Sequence, residues 1–170
     1  MTPGIVVADT SVLINFLRID RMDLIGTHPE SFIATDHVAG EITDPDQQAR
    51  YAAALSAGFI AEQRVDNPVE LDIFLRLRRG ERLGAGECSA IAVALNRSYR
   101  LAIQDNRAIK RALQEAGITG NPLRIARTQD IIVELIRSGD LTIATADAML
   151  VDWANNHRFR LKTSSFRELL

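Results

Sequence analysis

An open α/β fold is the class this chain predicts, and three observations carry that reading. Ile5-Val6-Val7-Ala8 is a short apolar run bounded by Gly4, as in a strand buried on both faces, and Asp9 follows it directly. Val12, Leu13, Phe16 and Leu17 then recur at helical spacing. The same construction returns where Leu101-Ala102-Ile103-Gln104 runs into Asp105-Asn106, followed by the helical face Ala108, Ile109, Ala112, Leu113 and Ala116. Between and beyond these two units the chain alternates strand and helix patterns without an internal repeat. Two strands thus end in Asp, at the sheet edge where ligands of open α/β sheets bind.

The elements follow in order. Asp9 caps a helix beginning near Ser11, and Arg18 to Glu30 holds a short apolar segment with a turn at His28-Pro29. Ser31-Phe32-Ile33-Ala34-Thr35 predicts the second strand, and Asp36 predicts the cap of a brief helix reaching Glu41 and Ile42, with Pro45 helping to end or redirect it. Gln47 to Ala57 is helical and Gly58 marks its end. Phe59 to Val65, with Glu62 and Arg64 weakening its alternation, predicts an edge strand. Asn67-Pro68 opens the next helix.

Gly84-Ala85-Gly86 interrupts the chain before Glu87-Cys88-Ser89-Ala90-Ile91-Ala92-Val93-Ala94-Leu95, whose small side chains let a helix lie close to a sheet. Glu87 is aimed along the apolar stripe of Ile91 and Ala94, where a charge needs an offsetting proton or cation. Its structural alternative is a first-turn Glu favoured by the helix dipole. Gly117 predicts the end of the helix after Asp105. Pro122 to Thr128 contains the last strand, and Asp130 to Arg137 and Thr142 to Trp153 are helices. A short extended piece at Phe159-Arg160-Leu161 and a closing helix over Ser164 to Leu170 complete the pattern.

At 170 residues the chain reads as one domain, 1–170, with residues after about 120 forming a helical extension. No apolar run is long enough for a membrane span, and the single Cys88, which has no internal partner, agrees with a reducing cytoplasm. A net charge of -2 argues against wholesale electrostatic binding of nucleic acid and leaves local basic patches open. Such patches occur at Arg76, Arg78, Arg79 and Arg82, at Arg107, Lys110 and Arg111, and at Arg158, Arg160 and Lys162.

Several chemistries are excluded by motif. No phosphate-binding P-loop, no Gly-x-Ser-x-Gly elbow and no His-Glu-x-x-His helix occurs. Gly84-Ala85-Gly86 lacks a preceding strand pattern, so it is not a dinucleotide fingerprint. His28, His37 and His157 share no metal-ligand spacing, and Cys88 reads as a small core residue. What remains is an acid-only constellation of Asp9, Glu41, Glu87 and Asp105. Converging carboxylates repel one another, and a hard divalent cation resolves the conflict, Mg²⁺ needing only one or two direct carboxylates. Such a site suits hydrolysis of phosphodiesters.

Asp9-Thr10-Ser11-Val12-Leu13-Ile14, Val38-Ala39-Gly40-Glu41-Ile42, Gly86-Glu87-Cys88-Ser89-Ala90-Ile91-Ala92 and Gln104-Asp105-Asn106-Arg107 together resemble the PIN domain, in that family's order and at about its separations. The resemblance covers residues 4 to about 120, and the tail resembles an extension seen in a subgroup of PIN-like prokaryotic proteins. It implies a three-layer α/β/α fold with a central parallel sheet of four to five strands and helices on both faces. It also implies a Mg²⁺- or Mn²⁺-dependent endoribonuclease, with Asp9, Glu41, Glu87 and Asp105 as the acidic pocket. Asp9, Glu87 and Asp105 would hold metal, and a hydroxyl of Thr10 or Ser11 would assist. The toxin branch commonly carries Asp where Glu87 stands, and the subgroup's extra acids are replaced by Ser89 and Asn106.

Similarity to VapC-type toxins implies an RNA substrate, a cognate antitoxin protein and a homodimer. An RNA-processing nuclease without an antitoxin and a non-catalytic RNA- or protein-binding module are the alternatives. An acidic pocket repels phosphates, so Arg76 and Arg79, which share a helix face, are the expected RNA-backbone contacts; the competing account is a solvated helix with Glu81 nearby, or arginines that dock an acidic antitoxin tail.

Overall fold

Val6, Val7 and Ala8 are fully buried, as a strand between two helical layers requires. They belong to β1 (Ile5–Ala8), the centre of a sheet that continues through β2 (Ser31–Thr35), β3 (Ala61–Gln63), β4 (Arg100–Ala102) and β5 (Ile125–Ala126). The structure is a computed structural model and describes residues 3–80 and 82–170. The described strands pair in the order β3-β2-β1-β4-β5, and each pairing is parallel. Strands are added outward from β1 in one direction and then in the other, so the switch point lies between β1 and β4. Asp9 and Asp105 both follow strands at that point.

The helices are α1 (Thr10–Arg18), α2 (Met22–Thr27), α3 (Asp36–Glu41), α4 (Pro45–Ala57), α5 (Pro68–Gly80), α6 (Ala85–Arg97), α7 (Asn106–Thr119), α8 (Thr128–Ser138) and α9 (Ile143–Asn156). They cover both faces of the sheet, with α1, α2 and α4 packed as one group and α5 against α6 as another. Helix α6 is buried from Cys88 through Leu95 and packs on β1, β2 and β4, which its alanines permit by letting the backbones approach. Ser89 fixes it there: its Oγ lies 2.6 Å from Thr35 Oγ1 and also donates to the Gly86 carbonyl at 2.8 Å. Ser89 is therefore committed to tying α6 to β2.

Several boundaries differ from the sequence reading for local reasons. Thr35 caps α3, its Oγ1 accepting from Val38 N at 3.1 Å, while Asp36 accepts instead from Val65 N at 3.2 Å. Pro45 does not stop a helix; it starts α4 behind the Asp44 cap, because its missing N–H is no loss in a first turn. Helix α7 runs past Gly117 and ends at Gly120, which takes the left-handed conformation at φ 74°. Residues Phe159–Leu161 form no strand, and the closing helix shrinks to a 3₁₀ turn, Phe166–Leu169.

The chain beyond residue 120 is joined to the core. Trp153 on α9 is fully buried, donates from Nε1 to the Asn15 carbonyl at 2.7 Å, and meets Phe16 edge to face with centroids 6.2 Å apart. Asn15 in turn donates to Thr128 Oγ1 at 3.0 Å. Phe166 is also fully buried, held by Asp147, which accepts from Phe166 N at 2.8 Å.

Candidate metal centre and cleft

Asp9 leaves β1 with extended backbone, its N–H donating to the Ala102 carbonyl at 2.8 Å, so its side chain is set by the sheet. Its Oδ2 accepts from Ser11 N at 3.2 Å and from Ser11 Oγ at 2.6 Å. Its Oδ1 is buried and has no hydrogen-bond partner among the described residues. Asp9 thus serves as the helix cap and still presents one oxygen to the site. Burial raises its pKa above the ordinary carboxylate value, the Ser11 bonds oppose this, and the Glu41 charge adds to the rise.

Glu41 ends α3 and bridges two other helix starts. Its Oε2 accepts from Thr10 Oγ1 at 2.8 Å and its Oε1 from Gly86 N at 2.7 Å. A β-carbon on residue 86 would overlap this carboxylate, so any larger residue there must push the Glu41 carboxylate out of its place. In the first turn of α6, Glu87 Oε2 accepts from Gly84 N at 3.0 Å. The helix-start role and the pocket role coincide here, because Glu87 is partly exposed and lines an open cleft with Asp105. Desolvation raises the Glu87 pKa, the Gly84 bond lowers it, and the charges of Asp9, Asp105 and Glu41 push it further up. Asp105 caps α7, Oδ1 accepting from Ala108 N at 2.9 Å.

The fold therefore brings Asp9, Glu41, Glu87 and Asp105 to one edge of the sheet. The hydroxyls of Thr10 and Ser11 are donated to Glu41 and Asp9, so they orient carboxylates; Ser11 Oγ also accepts from Gln104 N at 3.1 Å. Oxygen donors alone, one of them buried and unpartnered, fit a hard cation such as Mg²⁺ or Mn²⁺. Asp9, Glu87 and Asp105 are the residues that would hold it; Glu41, both of whose oxygens accept bonds from Thr10 and Gly86, would contribute its negative charge from beside them.

Beside Glu87 and Asp105 the cleft, about 570 Å³, is lined by Arg79, Arg82, Arg107 and Arg111. Arg79, one of the two arginines expected to contact RNA, is among these lining residues. Arg76 is not among the lining residues: its guanidinium grips the buried Glu115 and reaches Asp72 at 3.3 Å. Helical spacing put 76 and 79 on one face but could not show that a buried acid on α7 claims the first. Arg107 and Arg111 were visible only as a basic cluster; what places them at the cleft is that α7 begins at Asp105. Glu81 lies outside the described residues.

Among the described residues, the group whose ligand atoms lie within 4.8 Å of one another is a different one, His28, Glu30 and Glu134; the four carboxylates at the strand ends are not drawn that close together. It lies at the opposite edge, since Ser31 and Arg100 begin their strands. Arg100 already occupies its centre, donating to Glu30 at 2.8 Å and to both Glu134 oxygens at 2.9 and 2.6 Å. His28 Nδ1 accepts from Glu30 N at 3.0 Å, which leaves Nε2 as the donor to Glu134 at 2.8 Å. The positive charge that offsets these acids is the Arg100 guanidinium. Cys88 is buried and its thiol is pushed up to about 11 by desolvation, which keeps it protonated.

Fold and site together define an α/β protein with a carboxylate pocket at the switch point of a parallel sheet. The chain belongs to the DUF3368 PIN-domain family, whose model matches residues 5–170, including the extension. PIN domains are generally nucleases. A solved structure similar to this chain is a PilT N-terminus domain protein from the hyperthermophilic archaeon Sulfolobus solfataricus. The two align with a TM-score of 0.50 and 16% identity over 81% of this chain and 94% of that one, a likeness of fold. No curated protein matches the chain.

Proposed function

We propose that this PIN domain is a Mg²⁺- or Mn²⁺-dependent endoribonuclease. The observation that carries the reading is the buried, unpartnered Asp9 Oδ1, close enough with Glu41 and Asp105 for their charges to act on Glu87, beside an arginine-lined cleft whose walls include Glu87 and Asp105. A divalent cation, when bound, supplies activation of water near neutral pH and stabilises charge on the leaving oxygen. The protein's own part is positioning. Ser11 turns Asp9 so that Oδ1 faces the site, Glu41 locks the starts of α1 and α6 together, and the cleft arginines draw in the phosphates that the acids alone would repel.

Resemblance to VapC-type toxins supports the finer reading of a toxin in a toxin–antitoxin pair, acting in the cytoplasm as a homodimer against RNA. Cleavage of total RNA with and without Mn²⁺, followed by end mapping, tests the enzyme, and growth arrest on expression tests the toxin. Metal-dependent cuts at defined ends are expected. Equal fragment patterns from wild type and Asp9→Asn would reject the nuclease, leaving a non-catalytic binding module.

A further inference from the structure

A second cleft, about 460 Å³, adjoins the metal centre from the other side, and Asp105 lines both. Its further walls include Ile14 and Arg18 of α1, Asn106 at the start of α7, and Phe159 from the segment after α9. The arginines that could bind phosphate are concentrated in the first cleft; this one combines an aromatic ring, an aliphatic side chain, one guanidinium and three carboxamides, of which Asn15 and Gln104 are bonded within the protein. We infer that it is a subsite for one unpaired nucleobase of single-stranded RNA, with Phe159 as its stacking platform. This rests on the ribonuclease reading of the neighbouring pocket.

The chain builds Phe159 for that position. Arg158 adopts a positive φ of 54°, turning the backbone so that Phe159 N donates to the Trp153 carbonyl at 3.1 Å. The Phe159 ring then stands edge to face on Trp153, with centroids 5.4 Å apart, and Trp153 stands the same way on Phe16. A row of aromatic rings therefore runs from the core to the cleft, with the half-buried Phe159 as its outermost member. Arg18 Nη1 reaches the His157 carbonyl at 3.4 Å, tying α1 to the same turn. Stacking is tolerant of base identity, so the platform itself selects for an unpaired base, and Asn106, exposed and able to donate and accept, is the group placed to read an edge. A strand with a phosphate at Asp105 would carry the adjoining nucleotide into this cleft, because the two clefts meet at that residue.

The test uses the full chain carrying Asp9→Asn, which binds without cutting. Its affinity is measured for a short single-stranded RNA and for a set of the same RNA with one abasic nucleotide moved along it. With Phe159 present, one position is expected to be sensitive, its abasic form binding about 5- to 100-fold more weakly. Adding Phe159→Ala should weaken the intact RNA by a similar factor and remove the positional difference, whereas Phe159→Trp should keep it. Thermal melting of each variant separates a lost platform from a lost fold. If Phe159→Ala leaves the positional penalty intact, or if no position is sensitive, the subsite is refuted while the nuclease stands. If the RNA does not bind at all and the wild type does not cleave it, both readings fail together.

Discussion

Asp9 carries two duties that pull its stability contribution in opposite directions. As a cap it accepts two bonds from Ser11, and as a pocket acid it holds a buried oxygen with nothing to bond. Its folded pKa is raised, so its penalty is absent below the ordinary value of 3.8 and grows as pH rises through the raised value. Asp9→Asn is therefore expected to melt close to wild type in acid and above it at neutral pH, while abolishing cleavage. A melting-temperature difference independent of pH would contradict this account. Glu87→Gln tests the neighbouring acid: an exposed dipole contact is worth about 0.3 to 1 kcal/mol, so a merely structural Glu87 would show a small stability change and full turnover. Loss of turnover by orders of magnitude is the expected result. Gly86→Ala should reproduce much of that loss in a folded protein, since a β-carbon there displaces Glu41; unchanged turnover would show that Glu41 need not be held where it is.

At the scale of elements, α5 and α7 each supply arginines of two kinds. Arg76 and Arg111 share the buried Glu115, Arg111 also lining the cleft, whereas Arg79 and Arg107 are exposed there. Arg76→Ala is expected to lower stability by about 1 to 3 kcal/mol, because Glu115 loses charge-assisted bonds where water cannot replace them. The same change should leave the salt dependence of RNA binding alone. Arg79→Ala with Arg107→Ala should do the reverse, flattening the slope against log salt by about 0.7 per phosphate contact on single strands. Measuring both quantities on both variants checks the division of labour, and a flattened slope for Arg76→Ala would return that residue to the RNA path.

For the whole molecule, the two ends of the sheet respond oppositely to acid. At the carboxyl edge, Asp9 and Glu87 have raised pKa values and disfavour the metal-free fold as they ionise. At the amino edge, Glu134 is partly desolvated, yet its bonds from Arg100 and His28 outweigh that and lower its pKa. Its contribution is complete above the ordinary value of 4.5 and is lost as pH falls through the lowered one. A cation that binds only the folded state adds about 2.7 kcal/mol at a hundredfold excess over its dissociation constant. Mn²⁺ should accordingly raise the melting temperature at neutral pH, with little effect in acid or in Asp9→Asn. Stabilisation that survives Asp9→Asn would place the cation elsewhere.

The sequence alone determined the strand–helix order around β1 and β4, because buried parallel strands must be apolar runs and their crossover helices must show a 3.6-residue period. It also singled out Asp9, Glu87 and Asp105, since strand ends and helix starts are recognisable locally, and Glu41 by the motif around it. Boundaries set by competing caps, such as Thr35 against Asp36 or Gly120 against Gly117, were less legible, because both candidates carry the required chemistry. Only the tertiary structure decided that Ser11 leaves one Asp9 oxygen unpartnered, that Glu115 removes Arg76 from the cleft, and that Trp153 carries Phe159 to the far side of Asp105. Each of those outcomes joins residues distant in sequence, and periodicity along one chain holds no record of which distant side chain completes a hydrogen bond or an ion pair.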